Sequence, residues 1–140
     1  MKIDTAAVKA AIETVPALAS KTFVSVAPRT SGVLPAAPYV VIHPSDGIDR
    51  PDRVTGPYTT RRPGFTLHIV GSSYDNAQTV TELVKAKFVV NGRGVKLSIS
   101  GTNTKPCRWS SPQPTQVDNS LTPPLIYNVA ELDFEAQPTS

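Results

Sequence analysis

The sequence predicts an α+β domain with a mostly antiparallel sheet of about four to six strands. Two helices are expected to pack on one face of this sheet, and two long loops are expected to project from it. Segments with helical and with strand periodicity alternate in the order helix, strands, helix, strands. The chain of 140 residues suits one domain, 1–140, with one core. Its 14 dispersed prolines favour strand ends and loops.

The first element is a predicted helix over residues 4–18. Apolar residues recur there at helical spacing on one face. The polar side chain of Asp4 or Thr5 can accept hydrogen bonds at the helix start. Pro16 has no backbone N–H to donate, so it is expected to end the helix or to kink its last turn.

Three strands are predicted next. Residues 21–28 contain a short apolar run that ends at a proline. Residues 39–44, "YVVIHP", are apolar on both faces, which is typical of a strand that is covered on both sides. Residues 64–71 alternate with the period of two that strands show. The second and third strands could pair as a long hairpin.

A second helix is predicted from Ser72 or Ser73 to the stop at Asn91-Gly92. The serine hydroxyls suit the first position of a helix, and the Asn-Gly pair suits its end. The apolar residues of this segment form one stripe, which consists of Ala77, Val80, Val84 and Phe88. The stripe predicts packing against the sheet.

The remaining strands are predicted at 95–100, at the short segment 107–109 and at 125–138. Two polar segments between elements, 45–62 and 110–124, have no helical or strand periodicity. Loops of this length without regular structure are uncommon in compact domains unless they bind something. These two projecting loops are therefore where function is expected.

A metal site in the first loop is considered and rejected. Asp46, Asp49 and Asp52 recur at every third residue, and His43 precedes them. A calcium loop needs oxygen ligands at alternate positions and a terminal glutamate, and both are absent. Several arginines in the same loop compete for the carboxylates. Turn-forming aspartates paired with arginine explain the same residues, and no metal or other cofactor is predicted.

Enzymatic activity is not predicted. Neither His43 nor His68 belongs to a recognisable catalytic motif. The single cysteine, Cys107, has no second thiol for a disulfide or zinc site and is expected to be a buried bystander. The glycine-rich residues 91–94 lack the lysine of a phosphate-binding loop. No stretch is long and apolar enough for a signal peptide or a membrane span, which predicts a soluble intracellular protein without membrane contact.

An interaction surface remains as the functional hypothesis. The formal net charge of +3 is low for a nucleic-acid-binding protein. Tyr39, Tyr58 and Trp109 are too scattered to form a stacking platform, although a single-stranded nucleic-acid-binding module stays open as an alternative. Arginine and tyrosine in a Gly- and Pro-rich loop suit contacts with another protein.

Several segments together resemble a known family, and these segments are "APYVVIHP" at 37–44, "DRVTGP" at 52–57, "RRPGFTLHIVG" at 61–71, "AQTVTELVKAKFV" at 77–89 and "SLTPPLIYNVAELDFEAQP" at 120–138. The layout is similar to that of the tail terminator proteins of long-tailed, non-contractile (siphovirus-type) bacteriophages. The resemblance covers nearly the whole chain in element order. It contains no catalytic signature.

The resemblance implies a structural virion protein that forms a hexameric ring at the head-proximal end of the tail tube. Such a ring stops tube polymerisation and provides the head-tail joining surface. The implied partners are other copies of the chain, the major tail tube protein and head-tail connector proteins. DNA would pass through the lumen without sequence-specific binding. The implied location is the virion tail, after assembly in the host cytoplasm.

Residues at the subunit or tube interface follow from the same resemblance, and they are Arg50, Asp52, Arg53, Tyr58, Arg61 and Arg62. Another head-tail joining component, such as a head-closure or connector protein, remains an alternative. The partner of loop 110–124 stays open. Because Arg53 and Arg61 lie outside the apolar periodicity, replacing both by glutamate is expected to leave the monomer folded.

Overall fold

The computed structural model describes residues 2–29, 32–51, 59–111, 113–120 and 124–138. The α-helix α1 spans Lys2–Glu13, and the α-helix α2 spans Tyr74–Lys85. A short 3₁₀ helix spans Pro16–Leu18. The strands are β1 Thr22–Val24, β2 Tyr39–Pro51, β3 Thr59–Gly71, β4 Val89–Val90, β5 Arg93–Gly94, β6 Thr102–Thr104, β7 Arg108–Ser110, β8 Gln116–Asp118, β9 Leu125–Asp133 and β10 Ala136–Pro138.

The predicted fold class is wrong. The described residues form a mixed α/β structure whose main sheet has eight strands, not four to six, and a separate two-stranded hairpin of β4 and β5. β1 runs parallel to β2, whereas β2 with β3 and β3 with β9 are antiparallel. Five strands of the sheet contain only three residues each. Strands this short are too brief to show a period in the sequence, which explains the low predicted number.

Several element boundaries also differ from the prediction. The segment 95–100 does not form a strand, and only Ile99 makes an isolated bridge, to Thr102. The final strand predicted at 125–138 is divided, because β9 ends at Asp133 and β10 pairs with β3 and β6 instead. Strand geometry extends β2 to Pro51 and starts β3 at Thr59, so most of the predicted loop 45–62 is a two-stranded ribbon.

One face of the sheet packs against both helices. Val40 and Ile42 of β2 and Leu67 of β3 lie in the same buried cluster as Ile12 of α1 and Val84 of α2. The apolar stripe predicted for the second helix is buried on this face. Alternate residues of a strand point to opposite faces, so the intervening residues of β2 and β3 form the face away from the helices.

The start of α2 is set by local hydrogen bonds, as predicted. Ser73 is the residue before the helix, and its hydroxyl accepts a hydrogen bond from the backbone N–H of Asn76 at 3.1 Å. Gly71 brings β3 directly against this first turn, since a Cβ atom there would lie 2.4 Å from the backbone nitrogen of Ala77. No helix within the described residues is long and apolar enough to cross a membrane.

Candidate interaction surfaces: the hairpin arm and the open-face groove

The ribbon of β2 and β3 continues beyond β1 and β9, the strands that flank its inner part. β2 pairs with β3 from Tyr39, opposite Val70, to Pro51, opposite Thr59. β1 pairs with β2 only as far as Ile42, and β9 pairs with β3 only up to Gly64. We call residues 45–51 and 59–64 the arm. Among the described strands, β9 flanks the arm only at Gly64, opposite Asp133, and β10 flanks it through the pair Ala136 and Arg61.

A β-bulge marks the base of the arm. The register shifts between Ser45 and Ile48, where β2 carries one residue more than the facing strand. Pro63 lies opposite the bulge and has no N–H to donate to the ladder. The Ser45 hydroxyl donates a hydrogen bond to the carbonyl oxygen of Gly64 at 3.1 Å, which supports the bend. The charged residues of the arm, which were predicted to lie in a loop, lie on strands.

One of the six residues implied by the resemblance, Arg50, lies near the described end of the arm. Arg50 is on β2, and its backbone faces Thr60. Asp52, Arg53 and Tyr58 lie outside the described residues, so the structure does not test their role. The remaining two, Arg61 and Arg62, lie on β3 opposite Asp49 and Ile48 and have contacts within the chain.

Arg61 forms a buried ion pair with Asp4. Its Nε and Nη2 atoms donate to the two carboxylate oxygens of Asp4, each at 2.8 Å. The Asp4 side chain is fully buried and that of Arg61 is 12% exposed. Asp4 is therefore not a helix cap, because α1 starts at Lys2 and this carboxylate reaches the arm. Arg61 ties the arm to α1, so we expect Arg61→Glu to destabilise the fold, because it leaves the buried Asp4 carboxylate without its cationic partner.

Arg62 belongs to a surface network. Its Nη2 atom lies 3.2 Å from Glu135, whose second oxygen lies 3.3 Å from the ammonium nitrogen of Lys105. The Arg62 side chain is 40% exposed. Ion pairs as exposed as these contribute little to stability, typically about 0–1 kcal/mol. Arg62 can therefore exchange its partner for another carboxylate at modest cost.

The sheet face away from the helices carries a groove. Two adjoining clefts of about 480 and 330 Å³ share four lining residues, which are Arg29, Leu34, Tyr39 and Leu125. We call the pair of clefts the open-face groove. Val41 and Val70 are buried beneath it. Val33 lines its rim and is 67% exposed, which leaves apolar surface in contact with solvent.

Two opposite charges face the open-face groove without an ionic partner among the described residues. Arg29 is exposed, and its Nη1 atom donates to the carbonyl oxygen of Gly32 at 3.4 Å. Asp118 accepts hydrogen bonds from the hydroxyl and the backbone N–H of Ser120, which lower its pKa. Burial raises the pKa of Tyr39, and nearby Arg29 partly opposes this. The groove thus combines an apolar floor with one cation and one anion.

A histidine pair lies in the smaller cleft. The ring centroids of His43 and His68 are 4.7 Å apart, and Tyr127 lies 5.5 Å from His68. No group of three or more His, Cys, Asp or Glu residues is arranged to hold a metal ion in the part of the chain that the structure describes. Burial, and then the charge of His43, lower the pKa of His68.

This histidine is expected to make the fold less stable in mild acid. In the unfolded chain His68 takes up a proton near its ordinary pKa of about 6.5, whereas the fold favours the neutral ring. The unfolded state then binds more protons as the pH falls through that value, so the free energy of unfolding falls. Urea unfolding between pH 8 and pH 5 should show a smaller decline for His68→Gln than for the parent. Equal declines in the two proteins would contradict this.

Cys107 is buried, as the sequence predicts. Burial, and then the negative charge of Asp133, raise its pKa to about 11. The thiol is therefore protonated at neutral pH and is a poor nucleophile.

The open-face groove is the surface that sequence reasoning missed. One signal was present, since the apolar residues on both faces of 39–44 predict that both faces are covered. No helix or strand was predicted between residues 28 and 39, although Leu34 lines the groove and Ala37 packs onto this face. Which segment covers a strand depends on the path of the chain, and this path has no periodic signature.

Comparison with known proteins adds no family assignment. No protein-family model matches the chain, and no curated protein matches it with significant similarity.

Proposed function

We propose that the protein is a ring-forming tail terminator of a long-tailed, non-contractile bacteriophage. In this role several copies close a ring on the head-proximal end of the tail tube, stop its growth and present the surface that joins the head. The observation that carries the proposal is the arm. It is a two-stranded ribbon that extends beyond β1 and β9 and carries Arg50, and in the sequence Asp52, Arg53 and Tyr58 lie between its two strands.

An open strand edge along the arm supports assembly. Beyond Ile42, no described strand pairs with the outer edge of β2. Unpaired backbone N–H and C=O groups on such an edge can bond to another chain. Pro44 and Pro51 lie at the two ends of this stretch, and prolines are typical of edges that are protected against uncontrolled pairing. A short unpaired strand edge with a proline at each end fits an assembly of a fixed number of subunits.

Ion pairs made by the β3 strand of the arm support this role. The buried pair of Arg61 and Asp4 attaches the ribbon to α1, and the Arg62 network attaches it to the segment before β10. We infer that the buried Arg61–Asp4 pair sets the direction of the arm relative to α1. A fixed rotation from one subunit to the next is what closes a ring instead of producing an open filament.

Electron microscopy of assembled tails tests the proposal. Tubes assembled with the protein should have one length and a ring at one end, whereas tubes assembled without it should be overlong. The ring should have a mass near six times 14.9 kDa. Arg53→Glu should give overlong tubes, and Arg93→Glu, an exposed substitution on β5, should behave as the parent. Tubes of normal length without the protein would refute a terminator and leave a head-side connector.

A further inference from the structure

We propose that the open-face groove receives residues 52–58 of a second copy of the chain, so that the far end of one arm docks on the next subunit. This contact deepens the proposed ring function and rests on it. It assigns a receptor to the arm, which the resemblance does not provide. Three features carry the inference, namely the reach of the arm, the chemistry of the groove and the positions of the two surfaces.

The reach of the arm requires another copy. His43 is the groove residue on β2 that lies closest in sequence to the end of the arm, eight residues before Pro51. At about 3.3 Å per residue, these positions are roughly 26 Å apart along the strand. Seven residues that leave one strand and return to its neighbour extend at most about 14 Å beyond the strand ends. The length of the segment 52–58 is therefore too short to span the distance to the groove of its own chain.

The chemistry of the groove matches the sequence of this segment. Arg29 faces the groove without a carboxylate partner, and Asp118 faces it without a cation, among the described residues. The segment "DRVTGPY" begins with one carboxylate and one guanidinium at Asp52 and Arg53. A charge-complementary pair of this kind sets the orientation of a docked segment.

The apolar parts also match. Leu34, Tyr39 and Leu125 give the groove apolar walls, and Val33 exposes further apolar surface at the rim. The segment follows its two charges with Val54 and ends with a proline and a tyrosine. Clefts of several hundred Å³ with few polar groups are typical binding sites for such side chains. Tyrosine is also enriched among residues that dominate binding energy.

The positions of the two surfaces make the contact heterologous. The far end of the arm and the groove lie towards opposite ends of the same β2 and β3 pair. Each copy can therefore donate one arm and accept one arm. Contacts of this head-to-tail type produce rings when the rotation closes.

Disulfide trapping tests the contact. Val33→Cys in one chain and Val54→Cys in another should form a covalent dimer when the two chains assemble together with tube ends. Cys107 can stay in place, because it is buried. Val90→Cys replaces Val33→Cys as the control, since Val90 is 51% exposed on β4, on the hairpin outside the main sheet. The expected yield for the 33–54 pair is at least tenfold above that for the 90–54 pair.

Charge exchange provides a second readout. Arg29→Asp alone and Asp52→Arg alone should each weaken ring formation at least tenfold, measured by native mass spectrometry, and the double variant should restore it. Arg93→Asp serves as the matched control. If rings form but the 33–54 yield does not exceed the control and the double variant restores nothing, the docking contact is refuted and the ring remains. If no chain forms rings on tube ends, the proposed function itself fails.

Discussion

Arg61→Glu is expected to lower the free energy of unfolding by about 3–5 kcal/mol, which is the usual cost of breaking a buried ion pair from one side. The Asp4 carboxylate is fully buried and accepts both of its 2.8 Å hydrogen bonds from Arg61. The substitution removes its partner and places a second negative charge beside it. Urea unfolding followed by circular dichroism should show a lower midpoint with an unchanged slope.

The control for this prediction is Arg93→Glu, which makes the same charge change at an exposed position. A surface substitution of this kind should change stability by no more than about 0.5 kcal/mol. Removing both partners in Asp4→Asn with Arg61→Met should cost less than Arg61→Glu alone, because no unpaired charge stays buried. A loss below about 1 kcal/mol for Arg61→Glu would show that the pair does not hold the arm on α1.

Replacing residues 52–58 by Asn-Gly is expected to abolish ring formation while the monomer stays folded. Pro51 and Thr59 are directly paired, and Asn-Gly forms the two-residue turn that best joins paired antiparallel strands. The thermal midpoint of the monomer should therefore stay close to that of the parent. The ring should be absent by native mass spectrometry at concentrations at which the parent is fully assembled.

A second variant separates the length of the arm from its side chains. Seven Gly and Ser residues in place of 52–58 preserve the length and remove the charges, the proline and the tyrosine. This variant should also fail to assemble, because the proposed contacts belong to side chains. Rings formed by the Asn-Gly variant would contradict the proposed role of the arm.

Only part of the candidate site could be predicted from the sequence. The location of a functional segment between the two strands rests on loop composition, which is a local property. The resemblance assigned Arg61 to the interface together with Arg53, and both were expected to be replaceable because they lie outside the apolar periodicity. In the structure Arg61 contacts Asp4, which lies 57 positions earlier in the sequence, and no pattern within the segment reveals this contact. The open-face groove was not predicted for the same reason, because the apolar residues of the segment 29–38 have no periodic spacing.

The sequence by itself determined the elements whose signals are local. The serine cap and the apolar stripe specify α2, and the double-sided apolar run and period-two alternation specify the central parts of β2 and β3. Their backbone bonds and buried faces depend on nearby residues. Only the tertiary structure decided that β1 runs parallel to β2, that three-residue strands extend the sheet to eight, and that Asp4 meets Arg61. These features arise when distant segments pack together, and the free energy of that packing is not encoded in any one window of the chain.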